Sequence, residues 1–227
     1  MTEDLGRVLP QGTGTPVTIP GPIFAAAVAT FVAGQRLDMR SLARRLRVAR
    51  ATLYRRAGNR EQLLDQVLWW RARLLLADQV RASGHLTGTD RLTAVIGGVL
   101  RAIGADRPVR MFLESDPETA LRLLTGPRSA VHQGMAEALE NRIDLERGRG
   151  AFDASLDTPT LAFAIVRVSE GFLYSDVIAD RAPDISRAVM VIEALLRGLD
   201  LVNRAPVRCV LCKGRVMQRT RCGYCPC

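Results

Sequence analysis

From Ile23 to Leu201 the apolar residues return at spacings of three and four through long proline-free stretches, with almost no strand-like alternation. A chain patterned this way can bury its apolar side chains only by packing helix on helix, so the expected fold class is all-α. The periodicity predicts helices at 22–33, 39–46, 50–56, 60–83, 90–104, 107–113, 117–125, 127–147, 158–179 and 183–201. Asp38, Thr89, Asp116, Asp157 and Asp184 stand near predicted starts, where a side-chain oxygen can accept from an otherwise orphaned backbone N–H. Residues 1–22 are rich in proline and glycine, without periodicity, and are expected to form a flexible arm.

At 227 residues, 48% hydrophobic and 24% charged, the composition is that of a globular protein rather than a disordered or membrane one. The net charge is +9, which points to a polyanion but not to which one. Divided along the chain, residues 1–60 carry +7, residues 61–201 carry −4 and residues 202–227 carry +6. Nine arginines between Arg36 and Arg60 face a single acid, Asp38. The early apolar run Ile23–Val32 is too short for a bilayer span of ~20 residues. The first twenty residues contain Glu3, Asp4 and Arg7 and lack a positive leader. A cytoplasmic protein without membrane partners is expected.

The basic segment has internal order. Leu42, Ala43 and Leu46 share one helical face, and Val48 and Leu53 can close over them from a turn and a second helix. A helix-turn-helix places the first residues of its second helix against base edges and its flanks against phosphate. Arg50, Ala51 and Thr52 then face the groove, while Tyr54, Arg55, Arg56 and Arg60 reach the backbone of duplex DNA. The alternative is a merely solvated basic hairpin.

On Phe31, Gly34, Leu42, Ala43, Val48, Thr52, Leu53, Tyr54, Arg60, Glu61 and Leu63, the segment resembles the N-terminal signature of the TetR family of transcriptional regulators. The resemblance implies a homodimer whose recognition helices enter successive major grooves of a pseudopalindromic operator. It also implies a three-helix DNA-binding domain at 23–60 and a larger helical effector and dimerisation domain at 61–201. Three positions depart from the family pattern: Arg47 where the turn usually has glycine, Ala49 where serine or threonine usually caps, and Ala57 where phenylalanine usually packs. A non-glycine residue at positive φ costs roughly 1 kcal/mol or more, so a slightly different turn shape is expected. Arg56 in place of the usual histidine makes its backbone contact permanently cationic.

The body is similar to the QsdR-like branch of that family around Leu161 to Asp176, which suggests a small, largely apolar effector. In the predicted helix from Thr158, Ala164, Val168, Gly171 and Ser175 form a stripe of small residues suited to a dimer seam or tight core packing. Offset from it lie Phe163, Arg167, Glu170 and Tyr174, with Arg167 and Glu170 spaced to pair. They are candidate pocket residues, as are Trp69, Trp70, Met111, Phe112 and Glu114. The competing readings are a self-satisfied ion pair and ordinary core aromatics.

All five cysteines fall in the last 19 residues, unlike a disulfide framework. Cys209, Cys212, Cys222 and Cys225 form two CxxC pairs nine residues apart, with Cys227 to spare. Four thiolates at this spacing suit tetrahedral zinc, so residues 202–227 are a candidate zinc knuckle holding one ion per chain. A redox- or metal-sensing tail and a tail without a role are the alternatives. No nucleophile elbow, phosphate loop or reactive carboxylate pair appears, and an enzyme is not expected. The leading expectation is a repressor released from operator DNA by a small apolar effector. The alternatives are a switch sensing through the cysteines and a helical module that binds duplex without sequence preference.

Overall fold

A computed structural model describes residue 19, residues 21–178 and 184–204, and the strand pair 207–208 and 216–217, with side chains described over 21–174 and 184–200. Ten helices occur among the described residues: α1 Gly21–Val32, α2 Met39–Arg45, α3 Arg50–Ala57, α4 Arg60–Ala82, α5 Gly88–Ala105, α6 Arg107–Ser115, α7 Pro117–Thr125, α8 Ala130–Gly148, α9 Thr158–Ile178 and α10 Ile185–Arg204. The only strands among them, β1 Val207–Arg208 and β2 Val216–Met217, pair antiparallel. Most of the N-terminal arm, the link between α9 and α10 and all five cysteines lie outside the described residues.

Helix starts follow local chemistry. Asp38 accepts from Ser41 N at 2.8 Å, Asp157 from Thr160 N at 2.9 Å and Asp184 from Arg187 N at 3.0 Å. Asn59 and Gln62 form a reciprocal capping box that opens α4. Four starts, those of α1, α5, α8 and α10, differ from expectation by one to three residues, and for α5 and α8 the cause is visible. Pro127 and Arg128 form a turn, and Ser129 caps α8 instead, accepting from His132 N at 3.0 Å. Helix α5 begins at Gly88 rather than 90, because the Gly88 N–H donates to the buried Glu146 carboxylate at 2.7 Å; Thr89 instead turns its hydroxyl to Asp200 at 3.3 Å.

Helices α1 to α3 enclose a small core of Ala27, Phe31, Leu42, Ala43 and Leu53, continuous with Leu63, Leu64 and Val67 of α4. Helix α4 is 23 residues and so about 34 Å long, spanning from this core into the body. There Trp69 is fully buried, and its ring lies so close to Gly134 of α8 that a Cβ at that position would collide with it. Helix α8 runs antiparallel to α9, since His132 meets Glu170 at one end and Asp144 meets Thr158 at the other. Among the described residues no helix is long and apolar enough to cross a membrane.

Candidate nucleic-acid interface and effector cavity

The helix-turn-helix forms as its spacing requires. Val48 N donates to the Ala43 carbonyl at 3.1 Å, which folds the turn back and buries Leu53 against Leu42 and Ala43. The turn keeps its tight shape despite lacking glycine: Arg47 adopts φ 54°, the only non-glycine residue with positive φ among those described. Ala49 sits in extended conformation at the cap position of α3 and offers no side-chain acceptor. Ala57 is buried at the end of α3.

Arg50, Ala51, Tyr54, Arg55 and Arg56 are exposed on α3, and Thr52 is partly so. Arg50, Arg55 and Arg56 have no carboxylate partner among the described residues, whereas the body's Arg71, Arg91, Arg122 and Arg197 all do. A row of unneutralised guanidiniums beside the first turn of an exposed helix is an electrostatic surface for phosphate. Arg60 does not join that row. Its Nε donates to the Leu37 carbonyl at 2.9 Å and its Nη1 pairs with Asp116 at 3.0 Å, so the side chain expected at phosphate is turned into the protein.

Within the body, α5, α8 and α9 line an apolar cavity that is partly open to solvent. Val95, Ile96, Val99, Leu100 and Ile103 supply one apolar wall at helical spacing, and Ile165, Val166 and Leu173 supply another. Polar groups enter at few points: His132, Ser169, Glu170, Tyr174 and Arg142. His132 Nδ1 lies 2.7 Å from Glu170 Oε1, and Arg167 Nη1 lies 2.9 Å from Glu170 Oε2, so the expected Arg167–Glu170 pair forms and gains a histidine. Burial, and then the nearby Glu170 charge, push the Tyr174 hydroxyl well above its ordinary pKa.

Of the residues singled out from sequence, Glu170 and Tyr174 line this cavity and the others do not. Trp69 packs on Gly134, and Trp70 stacks edge-on with Phe24 at 6.3 Å. Met111 covers Gly34 in the α1–α2 connection, Phe112 stacks edge-on with Phe31 at 6.2 Å, and Glu114 is exposed. Arg167 lies behind Glu170 and sits over Phe163, which is 52% exposed on the outer face of α9. Trp70 and Phe112 thus join α1 to α4 and α6, and Trp69 joins α4 to α8, rather than face a ligand. Because α8 carries polar residues at many positions and most of them face away from the cavity, type alone did not mark His132 and Arg142. Their i, i+3, i+7, i+10 register with Met135 and Leu139 was the available signal.

Helix α6 connects the two regions. At its start Asp106 caps Val109 N at 3.1 Å and pairs with Arg71 of α4 at 2.6 Å, one turn beyond cavity-lining Ile103. Its middle touches α1 through Phe112 and the α1–α2 connection through Met111, and just past its end Asp116 holds Arg60. A displacement of the cavity wall therefore has a packed route to the helix-turn-helix.

Residues 87–197 match the family described as tetracyclin repressor-like, C-terminal domain. The transcriptional repressor QsdR of the TetR family from R. erythropolis has a similar structure, with a TM-score of 0.73 and 27% identity, over 78% of this chain and 93% of that one. The TetR family repressor AlkX from Dietzia sp. aligns with a TM-score of 0.53 and 19% identity, over 79% and 95% of the two chains. The regulator FadR from Bacillus subtilis, solved in complex with stearoyl-CoA, aligns with a TM-score of 0.53 and 16% identity, over 78% and 97%. No curated protein matches in sequence comparison.

Proposed function

We propose that the chain is a TetR-family transcriptional regulator, a cytoplasmic repressor released from operator DNA by a small molecule in the α5–α8–α9 cavity; the domain match over residues 87–197 and the likeness to QsdR support the family reading. The observation that carries this reading is the continuity of α6 between the two sites: Asp106 on Arg71 at the cavity end, Asp116 on Arg60 at the DNA-binding end. Arg50, Ala51 and Thr52 read the major groove, and Tyr54, Arg55 and Arg56 hold phosphates. Release requires the effector to favour the DNA-incompetent state, by ~1–3 kcal/mol of coupling.

The reading is tested by footprinting the DNA upstream of the chain's own gene and then filling the cavity with Ala138→Phe. Ala138 is 2% exposed and lines the cavity wall. Protection of a pseudopalindrome is expected in both proteins, with loss of effector response only in the variant. No protected site at low salt, where phosphate contacts are strongest, would overturn the proposal.

Two further elements belong to the same reading. Phe163, Met190 and Val191 are 52%, 67% and 43% exposed on the outer faces of α9 and α10, an apolar surface suited to a homodimer. In the tail, β1 and β2 pair Val207 with Met217 and Arg208 with Val216, which brings together the two ends of the segment containing Cys209 and Cys212. The two CxxC pairs, at a spacing that suits tetrahedral zinc, are the support for a structural zinc ion held by Cys209, Cys212, Cys222 and Cys225.

A further inference from the structure

The cavity's two ends differ in charge. His132 and Arg142 stand ten residues apart on one helix, so the polar groups they mark are separated by about 15 Å. At the His132 end every charge is answered: Glu170 is met by His132 and by Arg167, which also donates to the Thr125 carbonyl at 2.9 Å. Tyr174 there is 5% exposed and held firmly in its neutral phenol form. That end resists a second negative charge.

At the other end the balance is reversed. Glu146 is 1% exposed, and both of its oxygens are taken. Oε1 receives Arg91 at 3.3 Å and Arg149 at 3.2 Å, and Oε2 accepts from Gly88 N at 2.7 Å. Arg142, one turn earlier on α8, lines the cavity and has no hydrogen bond or ion pair among the described residues. Burial, and then the charges of Arg91 and Arg149, lower its pKa, and Glu146 only partly opposes them. Three guanidiniums thus share one carboxylate, and the one left over faces apolar space. A partly desolvated cation without a counter-ion is unfavourable, and an anion arriving there gains a charge-assisted hydrogen bond.

We infer that the cavity binds an amphipathic anion, its head group on Arg142 and its apolar chain laid along Val95, Val99, Leu139 and Ile165 toward Tyr174. The inference rests on the ligand-responsive reading above and narrows the effector from an apolar molecule to one with a single anionic end. The uncharged far end, closed by paired Glu170 and neutral Tyr174, fixes the direction in which the chain lies.

Calorimetric titration of the full chain with decanoate, 1-decanol and decylamine tests it. Decanoate is expected to bind about tenfold to a hundredfold more tightly than 1-decanol, the range for a hydrogen bond to a charged group, and decylamine more weakly than either. Arg142→Met should bring decanoate and decanol to within about twofold of one another. Arg142→Lys should keep part of the preference, and serves as the test should the methionine variant fail to fold. Decyl sulfate distinguishes a general anion site, which it would occupy, from one shaped for carboxylate. Equal binding of decanoate and decanol, a preference that survives Arg142→Met, or no binding across saturated carboxylates from hexanoate to tetradecanoate would each overturn the inference. Operator release is read separately: decanoate that binds through Arg142 yet leaves DNA bound would defeat the proposed function and leave the ligand class standing.

Discussion

Arg60 Nη1 lies 3.0 Å from Asp116 Oδ2, and Arg60 Nε donates to the Leu37 carbonyl, so one guanidinium clamps the start of α4 to the α1–α2 connection and to the α6–α7 junction. A phosphate ligand and a clamp behave differently on substitution. On the clamp reading Asp116→Asn reproduces Arg60→Ala: both alter the operator's response to effector and neither changes the salt dependence of DNA binding. If Arg60→Ala alone lowers the slope of log affinity against log salt by about 0.9, Arg60 is a phosphate ligand after all.

The clamp also titrates. Desolvation pushes the Asp116 carboxyl up, but hydrogen bonds from Thr119 and Arg60, with the Arg60 charge, outweigh it and hold the pKa below its ordinary 3.8. A carboxyl whose pKa is lower in the folded than in the unfolded state adds stability above the unfolded value and loses it as pH falls through the folded one. Melting temperatures followed from pH 5 down to 2 should therefore fall less steeply in Asp116→Asn than in the parent. Parallel curves would assign the acid sensitivity elsewhere.

The turn of the helix-turn-helix stores strain at Arg47, whose φ is 54°. Arg47→Gly removes a penalty of roughly 1 kcal/mol and returns part of it as unfolded-chain entropy, so a net gain of about 0.5 kcal/mol is expected in urea denaturation. Ala49 already has the extended cap conformation, at φ −63° and ψ 141°, but no acceptor. Ala49→Ser should add about 1 kcal/mol by capping α3. Destabilisation by both changes would show that this turn is not the weak point.

Gly134 admits the Trp69 ring to the α4–α8 contact, and a methyl there has nowhere to go. Gly134→Ala is expected to destabilise by about 1–3 kcal/mol through overpacking. Trp69→Phe in the same chain should recover part of the loss, a coupling that a double-mutant cycle measures. Additive losses would mean that the ring and the helix relax independently.

One zinc equivalent per chain is expected after metal-replete expression, falling to none in Cys209→Ser with Cys212→Ser. The melting of the helical body should be unchanged, because the tail would fold around its own metal. Less than half an equivalent in the parent protein would remove the structural-zinc proposal.

Much of the helical frame was legible because its causes are local. Asp38, Asp157 and Asp184 cap helices within three residues of themselves, and Leu42, Ala43, Val48 and Leu53 fold the helix-turn-helix from a stretch of about a dozen residues. Two of the starts that shifted involve longer-range partners: Gly88 donates to Glu146, 58 positions away, and Ala130, beside its local cap Ser129, donates its N–H to Asp65 at 2.9 Å. Residue type misdirected the pocket assignment for the same reason. Trp69, Trp70, Met111 and Phe112 look like ligand-lining residues, but long-range packing uses Trp69 between α4 and α8, and Trp70, Met111 and Phe112 as joints from α4 and α6 to α1 and the α1–α2 connection.

By itself the sequence determined the all-α architecture, the DNA-binding hairpin and the surplus positive charge on it, since each depends on the order of neighbouring residues. Only the tertiary structure decided which arginines stay free to meet an anion. Arg60 is neutralised by Asp116, 56 positions away, while Arg142 is left bare because Arg91, Arg149 and Gly88 have already occupied Glu146. Charge is a property of the residue, but whether that charge is answered depends on what the fold brings within a few ångströms of it.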